Sequence, residues 1–244
     1  MYFRLGPSLC ILLSCAVVLQ AAGPAKMEWD SLQIRVGSQA SAAGIWAQKK
    51  SSKKPMGLMV WMHGGMQGPN CEKGLQAGKA LLPWVSGQNV VVASPSACGA
   101  RNWLSDAGLE AMESLIDSAM KRFPIDRSRI DLVGVSDGGF GVAHYSLKGK
   151  RTIARRVLVS THVGAWIPAQ SISEVAPQFS QGSWLFLQGG ADKNFPGEAT
   201  RPWIQAFCAQ VPRATLVWEP QGEHDLSWWV KNRPEQLRTA FTAK

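Results

Sequence analysis

Ser136 stands in Gly134-Val135-Ser136-Asp137-Gly138, just after the apolar pair Leu132-Val133 and just before a helix-compatible stretch from Phe140 to Lys148. A serine in a tight strand-to-helix turn is pushed out over the sheet edge, and small residues around it let strand and helix approach closely. The helix that starts there offers free backbone N–H groups and a positive dipole end to an anion. Those are the requirements for nucleophilic attack on a carbonyl, whose oxygen becomes anionic. Chance alone often supplies a G-x-S-x-G, so the reading depends on partners elsewhere in the chain.

A serine nucleophile needs a base, and the base needs an orienting acid. Four histidines are available. His63, in Met62-His63-Gly64-Gly65-Met66, follows a strand-like run, and the glycines free the backbone to aim N–H groups inward. This segment reads as an oxyanion loop, with His63 structural. His144 falls inside a helical stretch as a packed or surface residue. His162 ends a strand-like run in Ser160-Thr161-His162, where it is placed to line a pocket. His224, in Gln221-Gly222-Glu223-His224-Asp225, follows every strand on a connection able to swing an imidazole over the turn. Asp192, in Gly189-Gly190-Ala191-Asp192, is the candidate acid, because a carboxylate there accepts the second imidazole N–H. Its competing role is a turn cap, and Asp225 and Glu219 are rival acids.

The elements that position these residues are read from an alternation of patterns. Apolar runs at 57–62, 89–94, 129–134, 156–160, 183–188 and 214–218 predict strands, and 30–36 with 44–48 predict an opening antiparallel pair. Helical stretches lie between them, at about 74–82, 106–122, 137–147, 198–210 and 233–243. Within 106–122, residues 109, 112, 115, 116, 119 and 120 form an apolar stripe. Such alternation marks a doubly wound, mostly parallel eight-stranded sheet with helices on both faces, in which ligands bind at the carboxyl ends of the strands. The interval 162–182 is too short for a large cap domain and predicts a shallow, open site.

With 244 residues, 45% hydrophobic and 18% charged, the chain suffices for one sizeable core. Arg4, the apolar run Leu9–Leu19 and Ala21-Ala22-Gly23 read as an export signal, giving a signal peptide at 1–22 and one domain at 23–244. A rival reading takes Leu12-Leu13-Ser14-Cys15 as a lipobox with a lipid anchor on Cys15. The formal net charge is +9. Much of it sits in Lys49, Lys50, Lys53 and Lys54 and in Lys148, Lys150, Arg151, Arg155 and Arg156, which read as solvated loops and helix ends. No basic motif interleaved with aromatics points to nucleic acid, and no C-x-x-C or His/Cys cluster points to a metal.

The set His63-Gly64-Gly65, Gly134 to Gly139, Gly190-Ala191-Asp192 with Pro196, and Gly222-Glu223-His224 resembles the α/β-hydrolase superfamily over essentially all of the chain beyond the leader. Within it the sequence is similar to small secreted esterases related to polyhydroxybutyrate depolymerases, feruloyl or acetylxylan esterases and dienelactone-hydrolase-like enzymes. The resemblance implies Ser136 as nucleophile, His224 as base and Asp192 as its partner. It also implies the backbone N–H of Asp137, with that of Gly65 or Met66, as oxyanion donors. The implied function is an exported carboxylesterase working through an acyl-enzyme on a small or polymer-linked ester, with no cofactor. A serine peptidase or amidase, and a non-catalytic envelope- or polysaccharide-binding protein, are the alternatives. The Asp137 side chain departs from the commoner variants at that position, which leaves its role open.

Eleven tryptophans remain. Trp61, Trp184 and Trp218 fall in strands and are expected in the core. Trp103, Trp166, Trp203, Trp228 and Trp229 fall in loops or near helix starts. Of these, Trp103, Trp166 and Trp228, together with His162, are candidate substrate contacts. Cys71 and Cys98 each follow a strand, the third and the fourth, which neighbour each other in this fold and predict a disulfide. Cys208 is expected as a buried free thiol on a helix.

Overall fold

The computed structural model describes residues 26–48 and 54–242. The expected leader, Cys15, Lys49, Lys50 and Lys53 lie outside the described residues. The strands are β1 (Met27–Val36), β2 (Gln39–Gln48), β3 (Met56–Met62), β4 (Val90–Ser94), β5 (Ile125–Val135), β6 (Arg155–Val159), β7 (Ser183–Gly189) and β8 (Ala214–Glu219). They form one eight-stranded sheet in the order β1-β2-β4-β3-β5-β6-β7-β8. The β1–β2 hairpin is antiparallel and joins β4 antiparallel, whereas β4 through β8 run parallel. β3, β4 and β6 are buried along their whole length, as befits parallel strands covered on both faces.

The helices are α1 (Gly74–Ala77), α2 (Leu82–Val85), α3 (Asp106–Arg122), α4 (Gly138–Lys148), α5 (Ile172–Phe179), α6 (Gly197–Gln210), α7 (Leu226–Asn232) and α8 (Pro234–Phe241). One core includes Met112, Leu115, Ile116, Phe179 and Phe207. The other includes Leu81, Val85, Trp229, Leu237 and Phe241. α3 has the range expected of it. It begins where the Ser105 hydroxyl accepts the Gly108 N–H at 3.0 Å, satisfying one of the first-turn donors that lack a helical partner. Leu115 and Ile116 are fully buried on its stripe, each contributing about 2 kcal/mol of hydrophobic stabilisation.

The structure corrects the sequence reading in several places. The stretch 74–82 is not one helix: α1 passes through a 3₁₀ turn at Gly78–Leu81 into α2, which Pro83 opens. Proline fits there because its missing N–H would have no partner in a first turn anyway. α5 and α7 were not predicted, being short, and α5 carries Pro177. Trp203 and Trp229 are core residues, 4% and 0% exposed. Trp218 lies on the edge strand, half-buried, with the Arg201 guanidinium over its ring at 4.7 Å. Cys208 is free on α6 but only half-buried.

Arg155 and Arg156 are buried rather than solvated. Arg155 pairs with Asp131 at 2.8 Å and donates to the Thr242 carbonyl at 2.7 Å. Arg156 donates to the Ser146 hydroxyl at 2.6 Å and the Gln181 carbonyl at 2.7 Å, with its guanidinium 4.9 Å from the Trp184 ring centroid. Full pairing is what makes such burial tolerable. Cys71 and Cys98 form the expected disulfide, their Cα atoms 5.1 Å apart.

Candidate active site

Ser136 occupies the two-residue interval between β5 and α4, with φ at +54°. A non-glycine residue in the left-handed region costs on the order of 1–3 kcal/mol and persists only where its surroundings enforce it. Here the Ser136 N–H donates to Val159 O at 3.0 Å, while its carbonyl accepts from the Gly139 N–H and the Thr161 hydroxyl, both at 2.9 Å. A Cβ at Gly138 would lie 2.0 Å from the Met62 carbonyl oxygen, so only glycine lets α4 start this close to β3.

The carboxyl ends of β7 and β8 supply the acid–base side. His224 Nε2 is 2.9 Å from Ser136 Oγ, and His224 Nδ1 is 3.0 and 2.9 Å from the two oxygens of Asp192. Asp192 is 3% exposed. Its Oδ1 also accepts the N–H groups of Asn194 and Phe195 at 2.9 Å, and its Oδ2 accepts from the Gln188 amide at 3.3 Å. One carboxylate therefore both caps its own turn and orients the imidazole. Burial pushes the Asp192 carboxyl upward, but the His224 ring and the two backbone donors outweigh it and hold the group below the usual range. His224 is raised above an ordinary imidazole, chiefly by its hydrogen bond to Asp192, against burial and with help from the Asp192, Asp225 and Asp137 charges. This arrangement favours an imidazolium once a proton arrives.

The opposite side is residues 63–66. His63 is 3% exposed; its Nε2 accepts the Ala97 N–H at 3.1 Å and its Nδ1 donates to Gly64 O at 2.9 Å. Burial pushes its pKa down to about 4. It is a neutral structural ring, as its place in the sequence predicts. The Trp103 indole N–H donates to the His63 carbonyl at 3.0 Å, and the Lys73 ammonium donates to the Gly64 carbonyl at 2.6 Å. Gly65 has φ +71°, and the Met66 N–H donates to Asp137 Oδ2 at 3.1 Å. Among the described residues, the N–H groups of Gly65 and Asp137 donate to no protein acceptor.

The structure thus brings Ser136, His224, Asp192, Asp137 and the 63–66 loop together. It removes Trp103 from the candidate substrate contacts, because that ring is 2% exposed and clamps His63. Trp228 is half-buried, its ring set against Trp229 at 5.5 Å and under Arg233 at 5.8 Å. His162 is half-buried, burial pushes its pKa down, and its ring meets Phe195 at 6.2 Å. Phe195 in turn lies edge-on to His224 at 5.3 Å. Trp166 is half-buried against His144 at 5.5 Å. Sequence reasoning missed Phe195, although it follows Asp192 by three residues, and missed Lys73, whose surroundings carry no local signal.

No family profile and no curated protein sequence matches this chain. Solved structures do. S-formylglutathione hydrolase from Staphylococcus aureus superposes with a TM-score of 0.67 at 15% identity, covering 90% of this chain and 98% of that one. A ferulic acid esterase gives 0.66 at 16% identity, covering 88% and 97%. Acylaminoacyl peptidase from Pyrococcus horikoshii gives 0.64 at 11%, and there this chain spans 40% of the longer protein. With its parallel sheet, its tight turn carrying Ser136 after β5 and these neighbours, the chain has the α/β-hydrolase fold.

Proposed function

We propose that the protein is an exported serine hydrolase that cleaves carboxylic esters. The observation that carries this reading is the continuous line from Ser136 Oγ through His224 to buried Asp192, with contacts of 2.9 and 2.9–3.0 Å. Ser136 Oγ attacks the ester carbonyl carbon as its proton passes to His224 Nε2, and Asp192 stabilises the imidazolium. The carbonyl oxygen becomes an oxyanion facing the unengaged N–H groups of Asp137 and Gly65. Collapse breaks the C–O bond, His224 returns the proton to the leaving alcohol, and an acyl group remains on Ser136. Water, deprotonated by the same imidazole, then releases the acid.

The leaving alcohol passes close to His224. A cavity of about 310 Å³ lined by Ala191, Lys193, Asn194, Glu223, His224 and Asp225 adjoins that ring, and its polar groups suit a hydroxyl-bearing alcohol. Phe195, His162 and Trp166 offer flatter, less polar contacts. Export is supported by the Cys71–Cys98 disulfide, since such bonds persist in oxidising compartments. Among the described residues no helix is long and apolar enough to cross a membrane.

A fluorophosphonate probe followed by peptide mapping tests the reading, together with p-nitrophenyl ester hydrolysis. Labelling at Ser136 and a loss of about a millionfold in kcat for Ser136→Ala are expected. An unlabelled protein would favour a binding role, and faster cleavage of a matched anilide than of the ester would favour an amidase.

A further inference from the structure

Resting on that reading, we propose that the Asp137 side chain is a positioning residue that latches the oxyanion loop through the Met66 N–H. An aspartate at a helix N-cap ordinarily turns its carboxylate back onto the first-turn N–H groups. Asp137 stands at the N-cap of α4 in helical conformation and makes no such bond. Its carboxylate reaches instead to a residue 71 positions away in the chain, accepting the Met66 N–H at 3.1 Å. An otherwise favourable local bond is given up for a contact with the loop that faces the nucleophile.

The other restraints show why this contact is needed. His63 and its carbonyl are held by Ala97 and Trp103, and the Gly64 carbonyl is held by Lys73. All three act before Gly65, which has no side chain and sits at φ +71°. Glycine is the residue whose peptide planes reorient most easily. Beyond Gly65 the peptide plane is held on its oxygen side by the Gly68 N–H at 3.3 Å, a bond within the loop itself, and on its nitrogen side by the Asp137 carboxylate, which ties it to the start of α4. The carboxylate bond also engages the Met66 N–H, so the oxyanion meets Gly65 and Asp137 rather than Met66. Asp137 therefore serves twice: its backbone N–H faces the reacting oxygen, and its side chain holds the loop that carries the second donor.

The test compares Asp137→Ala and Asp137→Asn with the wild type on a neutral p-nitrophenyl ester, after equal melting temperatures have shown that both fold. Asp137→Ala is expected to lose about 100-fold in kcat with KM changed little, the scale of a misplaced catalytic group. Asp137→Asn keeps an oxygen for the Met66 N–H and is expected to recover most of that loss. The charges on His224 come from Asp192, Asp225 and Asp137, so Asp137→Asn is also expected to move the acid limb of the rate profile to lower pH. A wild-type rate in Asp137→Ala, or a loss in Asp137→Asn as large as in Asp137→Ala, overturns the latch. A wild type that neither labels at Ser136 nor turns over ester removes the underlying reading, and the latch with it.

Discussion

On one flank of Ser136, the His224 ring is held by another side chain, the carboxylate of Asp192, which is itself fixed by two backbone N–H groups. On the other flank, residues 63–66 present backbone, and the side chains that hold them come from Trp103, Lys73 and Asp137. The first flank depends on residue identity at the site, the second on space and on remote anchors. The acid–base flank should accordingly fail through chemistry with its geometry intact. The oxyanion flank should fail through sub-ångström displacement with every functional group still present.

The sharpest test of the acid–base flank is Asp192→Asn. An amide cannot hold the Nδ1–H tautomer or stabilise the imidazolium, and kcat should fall by about 10⁴ with the fold unchanged. The wild-type pH profile bears on the same flank. In the proposed mechanism His224 acts as a base only when neutral, and its pKa is raised from 6.5. Activity is therefore expected to fall as the pH drops through a value above 6.5, measured as the acid limb of kcat/KM. A limb below an ordinary imidazole would break the picture of an Asp192-supported ring.

On the oxyanion flank, Gly64→Ala probes space alone. Gly64 is not in the left-handed region, so alanine is allowed there by conformation, yet its Cβ would sit 2.9 Å from Ser136 Cβ. A loss of about 100- to 1000-fold in kcat is expected, comparable to removing an oxyanion donor. Gly68→Ala is the control: its Cβ would meet Gly65 O at an ordinary 3.5 Å, and its activity should stay within about twofold of wild type. Equal effects at the two positions would mean that loop flexibility, rather than the approach to Ser136, is what the glycines provide.

This contrast also explains what could be read from the chain. Strand-to-helix alternation and the apolar runs reveal the sheet, because parallel strands must be buried on both faces. Ser136, Asp192 and His224 are legible because each follows a strand in a glycine-containing turn, where side chains emerge at the sheet edge. Trp103 and Trp166 could not be told apart, since both look like loop aromatics. Only the path of the chain in space puts the Trp103 indole on the His63 carbonyl, 40 residues away. Arg155 and Arg156 misled for a related reason. Charge predicts exposure, but β6 carries both inward, where Asp131, 24 residues earlier, and the carbonyls of Thr242 and Gln181 satisfy them. The role of the Asp137 carboxylate stays open in the sequence, because its partner lies 71 residues away and leaves no trace in the flanking residues.

The smallest expected effect concerns His63, a buried ring that anchors the start of the 63–66 loop. Because the Ala97 N–H donates to Nε2, that nitrogen must keep its lone pair, and Nδ1 carries the single proton. A second proton would meet a donor in a buried site, and the pKa falls from 6.5 to about 4. Between those values the unfolded chain binds a proton that the native protein refuses. Stability contributed by the neutral ring is complete above 6.5 and is lost as the pH falls toward 4. The shift corresponds to about 3 kcal/mol at most. His63→Gln offers an oxygen near the position of Nε2 but does not titrate, so urea midpoints at neutral pH and near pH 4 separate this group from the carboxylates that also titrate there. The wild type should lose more stability over that interval than the variant. Parallel losses would show that His63 accepts its proton in the folded state, and that the oxyanion loop yields to it.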